Sequence, residues 1–244
     1  MRIDVRILLG TLALGGAGAW GPRIPEALSD METFRIVDIE VRGLRYLTSD
    51  QVVAQLAMTP DASVWSNTDV WVERVVAHPL ILSADVSRKA PHGLLIVVVE
   101  RQPIALAPTP TLEPVDAEGY RLPLDPAQYR LDLPVISTSR MPPAGSRLFS
   151  EDVRALAGEV GHLLDADASF YQRVSEFRWG DDGALIARWT EPQVEFFLPR
   201  DASTRRLRQG AAALDDALSR SPGDLPEAID LRFADQVVVR RTRE

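Results

Sequence analysis

Few side chains in this sequence have the spacing that chemistry requires. The three histidines, His78, His92 and His162, lie far apart in different settings, and there is no cysteine. A protein metal site needs three or four clustered ligands, so this inventory predicts none. The lack of cysteine also removes disulfides, thiolate ligands and Cys nucleophiles, and it leaves the redox compartment open. His78 precedes Pro79 at the end of a helical pattern, His92 sits in a Pro-His-Gly turn, and His162 lies beside an apolar helix stripe. The carboxylate pairs Asp181-Asp182 and Asp215-Asp216 are consecutive in sequence. One falls in a turn and the other diverges from a single helix, so neither makes a general acid and base pair. Asp116-x-Glu118-Gly119 lacks the register of a calcium loop and reads as a turn. No glycine-rich phosphate loop joins a strand to a helix, and neither G-x-S-x-G nor S-x-x-K occurs. The sequence therefore predicts a protein with no catalytic residues, no cofactor and no small-molecule substrate. A formal net charge of −8 also argues against nucleic acid as a partner.

Function then has to lie in surfaces, and the elements that present them can be read in order. Residues 1–6 carry Arg2 and Arg6 ahead of an uncharged apolar stretch, the pattern of a short cytoplasmic tail before a membrane anchor. The run 7–20 would rise roughly 21 Å as a helix, against roughly 30 Å of hydrocarbon. Ala17-Gly18-Ala19 also fits a signal-peptide cleavage site, so residues 7–21 read as an anchor or a signal sequence. A start codon assigned too far downstream is a third account of the short leader. Either way, the remainder is expected outside the cytoplasm.

Residues 34–42 alternate Val37, Ile39 and Val41 against charged neighbours, which predicts a half-buried strand. Thr48 with Gln51 makes a capping box for a helix with Val52, Val53 and Leu56 on its apolar face. Ser66 with Asp69 marks a second N-cap before Trp71, Val72, Val75 and Val76, and Pro79 stops that helix. Leu82, Ala84 and Val86 alternate in another strand. The unbroken run 94–99 predicts a strand buried on both faces. The order β-α-α-β-β over residues 34–102 makes a small domain with one sheet and two helices.

Phe34, Val41-x-Gly43, Pro79, Val86-Ser-Arg88-x-x-Pro91 and Val99-Glu100-Arg101-x-Pro103 together resemble a POTRA domain, specifically that of the FtsQ/DivIB cell-division family. Read as residues alone, Glu100-Arg101 is a solvated or cross-strand pair.

Past Pro103, several prolines confine strands to short or edge segments. Val153, Leu156, Val160, Leu163 and Leu164 define an amphipathic helix, and a second spans about 203–218. Between them a three-stranded meander turns at Asp181-Asp182-Gly183, and residues 228–241 end the chain as a strand or a pair of short ones. Trp65, Trp71, Trp179 and Trp189 read as core or sheet-face residues. The overall fold class is α+β: an anchor, a POTRA domain over 34–102, then a mixed, mainly antiparallel β domain with two helices over 103–241.

Val115-Asp116-Ala117-Glu118-Gly119, Leu133-Pro134-Val135-Ile136 and Ile229-Asp230-Leu231-Arg232-Phe233 resemble the β domain of the same family. The resemblance implies a non-enzymatic divisome scaffold in the cell inner membrane at the septum, with its N-terminus in the cytoplasm. It implies binding of FtsB/FtsL-like partners, which link it to septal peptidoglycan synthesis, through Phe233, Asp235, Val237, Val238, Val239 and Arg241. It also implies recruitment through the POTRA edge near 82–86, with an FtsK-like protein as candidate partner. The alternative reading is a POTRA-containing translocation or outer-membrane assembly factor. For any one of Val237 to Val239, burial in the sheet competes with a place at the interface, because alternate residues face opposite sides.

Overall fold

The computed structural model describes residues 32–109, 111–138, 145–221 and 223–241. They divide into two units between Glu100 and Arg101. No helix among the described residues is long and apolar enough to cross a membrane, and the tail, anchor or signal expected over 1–21 lies outside them.

The first unit runs β1 (Asp38–Arg42), α1 (Ser49–Leu56), α2 (Thr68–Val76), β2 (Ile81–Lys89) and β3 (Gly93–Glu100). Its sheet order is β1-β3-β2, with β1 parallel and β2 antiparallel to the central β3. The capping box forms as expected: the Gln51 amide donates to Thr48 Oγ1, and the Thr48 amide donates to Gln51 Oε1 at 2.8 Å. The second cap differs from expectation. Asn67, not Ser66, accepts the Asp69 amide at 2.9 Å, and Ser66 Oγ instead accepts from Ser63.

Strand β3 is a larger correction. Leu94, Ile96 and Val98 are buried, but Val97 and Val99 remain 38% and 50% exposed. A run of six apolar residues is compatible with burial on both faces, yet two short helices cover only one face of a three-stranded sheet. Glu100 and Arg101 are also neither solvated nor paired with each other. Glu100 accepts the Tyr46 and Leu47 amides at 2.7 and 3.1 Å, fastening the approach to α1 onto the end of β3. Arg101 belongs to the second unit, where it meets Asp116 at 2.6 Å and Glu118 at 2.9 Å. Consecutive residues of an extended chain point to opposite sides, so a sequence neighbour in a strand is a poor partner.

The second unit contains β4 (Ala105–Pro108), β5 (Leu112–Val115), β6 (Val135–Ser137), β7 (Val174–Trp179), β8 (Leu185–Trp189), β9 (Val194–Leu198), β10 (Ala228–Asp230) and β11 (Val238–Arg240). They form one sheet in the order β11-β10-β9-β8-β7-β6-β4-β5. The meander β7-β8-β9 is antiparallel as expected, while β9-β10, β7-β6 and β6-β4 are parallel, so the sheet is mixed. The helices are α3 (Glu151–Ala166), α4 (Ala168–Tyr171) and α5 (Thr204–Arg220). The short α4 was not expected from periodicity; Asp167 starts it by accepting the Ser169 and Phe170 amides at 3.1 Å.

Period-two alternation sorts this sheet into two faces. Phe177, Leu185, Ala187, Trp189, Phe196, Leu198 and Ile229 join Leu156, Val160, Phe170, Leu207 and Leu214 of the helices in one buried core. The opposite face carries an ion-pair lattice: Glu195 takes Arg178 at 3.0 Å and Arg188 at 2.8 Å, and Arg188 also reaches Glu176 at 2.9 Å. The turn at 116–119 is held by Asp116 Oδ1, which accepts the Glu118 and Tyr120 amides at 3.0 and 2.8 Å.

Candidate functional site at the C-terminal sheet edge

Strand β11 ends the sheet, so β10 is its one strand partner among the described residues. Which of its backbone groups are free follows from the bonds on the other side of β10. The Glu195 amide donates to the Glu227 carbonyl, and the Leu231 amide donates to the Phe197 carbonyl. The Glu227 carbonyl, Ile229 and the Leu231 amide therefore face β9, and Ala228 and Asp230 turn their backbone groups toward β11, where the Glu227 amide also donates to the Arg240 carbonyl at 2.9 Å. In the register of the hairpin, Ala228 faces Arg240 and Asp230 faces Val238. Val238 and Arg240 thus bond inward to β10, and the N–H and C=O of Val239 point out of the sheet. That is an open acceptor and donor pair of the kind that strand addition uses.

The six residues expected to bind partners lie along this margin and the segment leading to it. Phe233 is 45% exposed, and Asp235 is exposed in the same bend. Val237 stands one residue before β11 rather than within it, and Val237 and Val239 pack against the core. Val238 faces the other side, so alternation separates the three valines as the competing readings required. Arg241 is not a free anchor: it donates to Asp224 at 2.6 Å and to Ser221 at 3.2 Å.

Beneath Val238 on that outer face sits a fully buried carboxylate, Asp230. It receives Arg232 at 2.6 Å, Arg240 at 2.5 Å and the Arg232 amide at 3.2 Å. Arg232 also pairs with Asp182, and the Arg232 and Arg240 guanidiniums lie 5.2 and 4.9 Å from the Phe197 ring centroid. Burial pushes the Asp230 carboxyl up, but its bonds from Arg232 and the charges of Arg232 and Arg240 outweigh this and hold it below the ordinary value. The Arg232 guanidinium is raised in turn, first by its bonds to Asp230.

A depressed carboxyl stabilises the fold above its unfolded pKa, about 3.9, and that contribution disappears as pH falls through the lower folded value. Thermal melts should therefore show an acid-labile component below about pH 4 that Asp230→Asn removes. At pH 7 the same substitution should destabilise the protein by about 2 kcal/mol, since it strips a charged acceptor from two cations. Equal acid sensitivity in the two proteins would assign the loss to other carboxylates.

Sequence reasoning placed Asp230 in a motif without giving it a task. The signal was present: Asp230 and Arg232 are two residues apart in an extended segment, hence on one side. Two other contributors gave no such signal. Arg206 of α5 and Asp224 meet this margin from 25 and 17 residues away in sequence.

Comparison with known proteins fits this architecture. Residues 34–101 match the family profile described as POTRA domain, FtsQ-type. The chain is similar to the cell division protein FtsQ of Rhodothermus marinus, 31% identical over 220 residues, covering 86% of this chain and 79% of that protein. It is 32% identical to the cell division protein FtsQ of Anaeromyxobacter sp. over 222 residues, 90% of this chain and 71% of the relative. The cell division protein FtsQ of Salinibacter ruber is 30% identical over 179 residues, 69% of this chain and 67% of the relative. These matches favour the division reading over a translocation or assembly factor, and with a POTRA-type first unit and similarity running through the β domain, the chain belongs to the FtsQ family of cell division proteins.

Proposed function

We propose that the protein is a non-enzymatic divisome scaffold, tethered at the cytoplasmic membrane with its two folded units outside. It binds an FtsB/FtsL-like pair by accepting an extended segment on β11, and so gathers the septal peptidoglycan synthesis machinery at one place. The observation that carries this reading is the open margin of β11, where the Val239 backbone faces away from the sheet. Edge strand β2 of the first unit, nine residues long with Leu82 exposed, is the matching candidate for an FtsK-like recruiter.

The test is binding of the purified chain to the extracytoplasmic segment of the FtsB-like protein from the same genome, alone and joined to its FtsL-like partner. Phe233→Ala should weaken binding by about tenfold, the scale of losing one exposed aromatic anchor. Val238→Lys, which sets a third cation beside Arg232 and Arg240, should weaken it further. Both variants should keep the wild-type far-UV circular dichroism. Unchanged affinity in both variants would remove this surface from the interface.

A further inference from the structure

The segment 231–237 joins β10 to β11 without regular structure, and one side chain takes three of its backbone carbonyls. Arg206, in the first turns of α5, donates through Nε to the Leu231 carbonyl at 2.9 Å and through Nη2 to the Gln236 carbonyl at 2.6 Å. Nη2 also reaches the Phe233 carbonyl, and Nη1 donates to Gln209 Oε1 at 3.0 Å. Among the described residues no carboxylate pairs with Arg206, so its charge is spent on neutral oxygens, three of them backbone carbonyls of this one segment. One turn along α5, Gly210 leaves room for the Leu231 side chain: a Cβ there would lie 2.6 Å from Leu231 Cδ1. The segment is thus docked on α5 twice, by an apolar notch and by a guanidinium fork.

We propose that Arg206 is a positioning residue for strand addition: it holds the 231–237 segment and thereby keeps β11 in the sheet, ready for an incoming chain. This inference rests on the edge-binding reading above. The physical need is plain. Strand β11 has three residues and pairs with β10 as its one strand neighbour among the described residues, with the Glu227 amide adding one bond to the Arg240 carbonyl, and so short a strand is marginal without support. Gln236, the last carbonyl that Arg206 takes, is two residues from the first residue of β11. Release of that carbonyl frees the strand's leading end, and the margin then exists only in the fraction of molecules where β11 is docked. Apparent affinity falls by that fraction. Only a planar fork with several N–H groups can serve carbonyls in three directions, so lysine is an incomplete substitute.

The experiment compares wild type, Arg206→Lys and Arg206→Ala in the full chain. The first readout is amide hydrogen exchange without any partner. Val238 and Arg240, whose amides face β10, should exchange about tenfold faster or more in Arg206→Ala, as expected for local opening. The amides of β7, β8 and β9 should be unchanged, which separates this effect from general unfolding. The second readout is affinity for the same FtsB-like segment, expected to fall about tenfold in Arg206→Ala, in step with the exchange, and to recover in part with lysine.

Unchanged exchange at Val238 and Arg240 overturns the proposal, and so does faster exchange with undiminished affinity. Failure of the underlying reading is recognised separately, in wild type, as absence of binding while β11 is fully protected.

Discussion

Replacement of Val239 by proline should abolish strand addition while leaving the fold in place. The Val239 N–H points out of the sheet, so proline removes no bond between β10 and β11. It deletes the one outward donor in β11 and sets a ring where the partner's backbone has to approach; the lost ladder bond and the partner carbonyl left unpaired should together cost about 3 kcal/mol. That corresponds to roughly a hundredfold weaker binding of the FtsB-like segment. Val239→Ala is the matched control, since it also loses the half-buried side chain but keeps the N–H. Its binding should stay within a few fold of wild type. Natural sheet proteins use edge proline for the same end, to refuse a neighbour. If the proline variant binds as well as wild type, the partner does not pair with this margin, and the exposed Phe233 bend would have to carry the interaction by side-chain contact.

Gly43→Ala should unfold or severely loosen the first unit without touching the second. Gly43 follows β1 at a φ of +87°, a conformation that L residues rarely adopt. A Cβ at this position would lie 1.9 Å from the Val98 carbonyl oxygen, which belongs to the central strand and has no freedom to withdraw. Strain and collision together should cost on the order of 3–5 kcal/mol, at the upper end of what single substitutions do. Hydrogen exchange across β1, β2 and β3 should rise sharply, with the β7–β9 meander as internal reference. Binding of the FtsB-like segment through the second unit should persist. Loss of protection in both units would show that they fold as one cooperative block.

The two substitutions probe opposite ends of what can be read from residues alone. Gly43 stands in a short motif, and glycine closing a strand before a capped helix is a local signal. The helix caps, the period-two strands and the Asp-Gly hairpin are local in the same way, because each depends on residues within a few positions of one another. The capping error at Ser66 belongs here too: Ser66 and Asn67 are adjacent cap-forming residues, and the choice between them turned on a contact of Ser66 with Ser63.

The misreadings of β3 and of Glu100-Arg101 have a different origin. Hydrophobicity says that a residue can be buried, not whether anything is there to bury it. Val97 and Val99 have the same chemistry as Val98, and only the number of covering helices distinguishes them. Glu100 and Arg101 look like a charge pair in one dimension, yet each finds partners 15 or more residues away within its own unit, Glu100 in the first and Arg101 in the second.

By itself the sequence determined the β-α-α-β-β order of the first unit, the meander and the two long helices of the second, the two-part organisation of the folded region and the family resemblance. All of these are carried by residue types at short, fixed spacings. Tertiary structure alone decided that β11 rather than another strand closes the sheet, that Val239 is the residue whose backbone is left open, and that Arg206 and Asp230 hold the margin from the helix and from the outer face. Those facts depend on which distant segments come to lie side by side. Strand pairing and guanidinium reach are set by the closure of the whole sheet, and no local pattern encodes them.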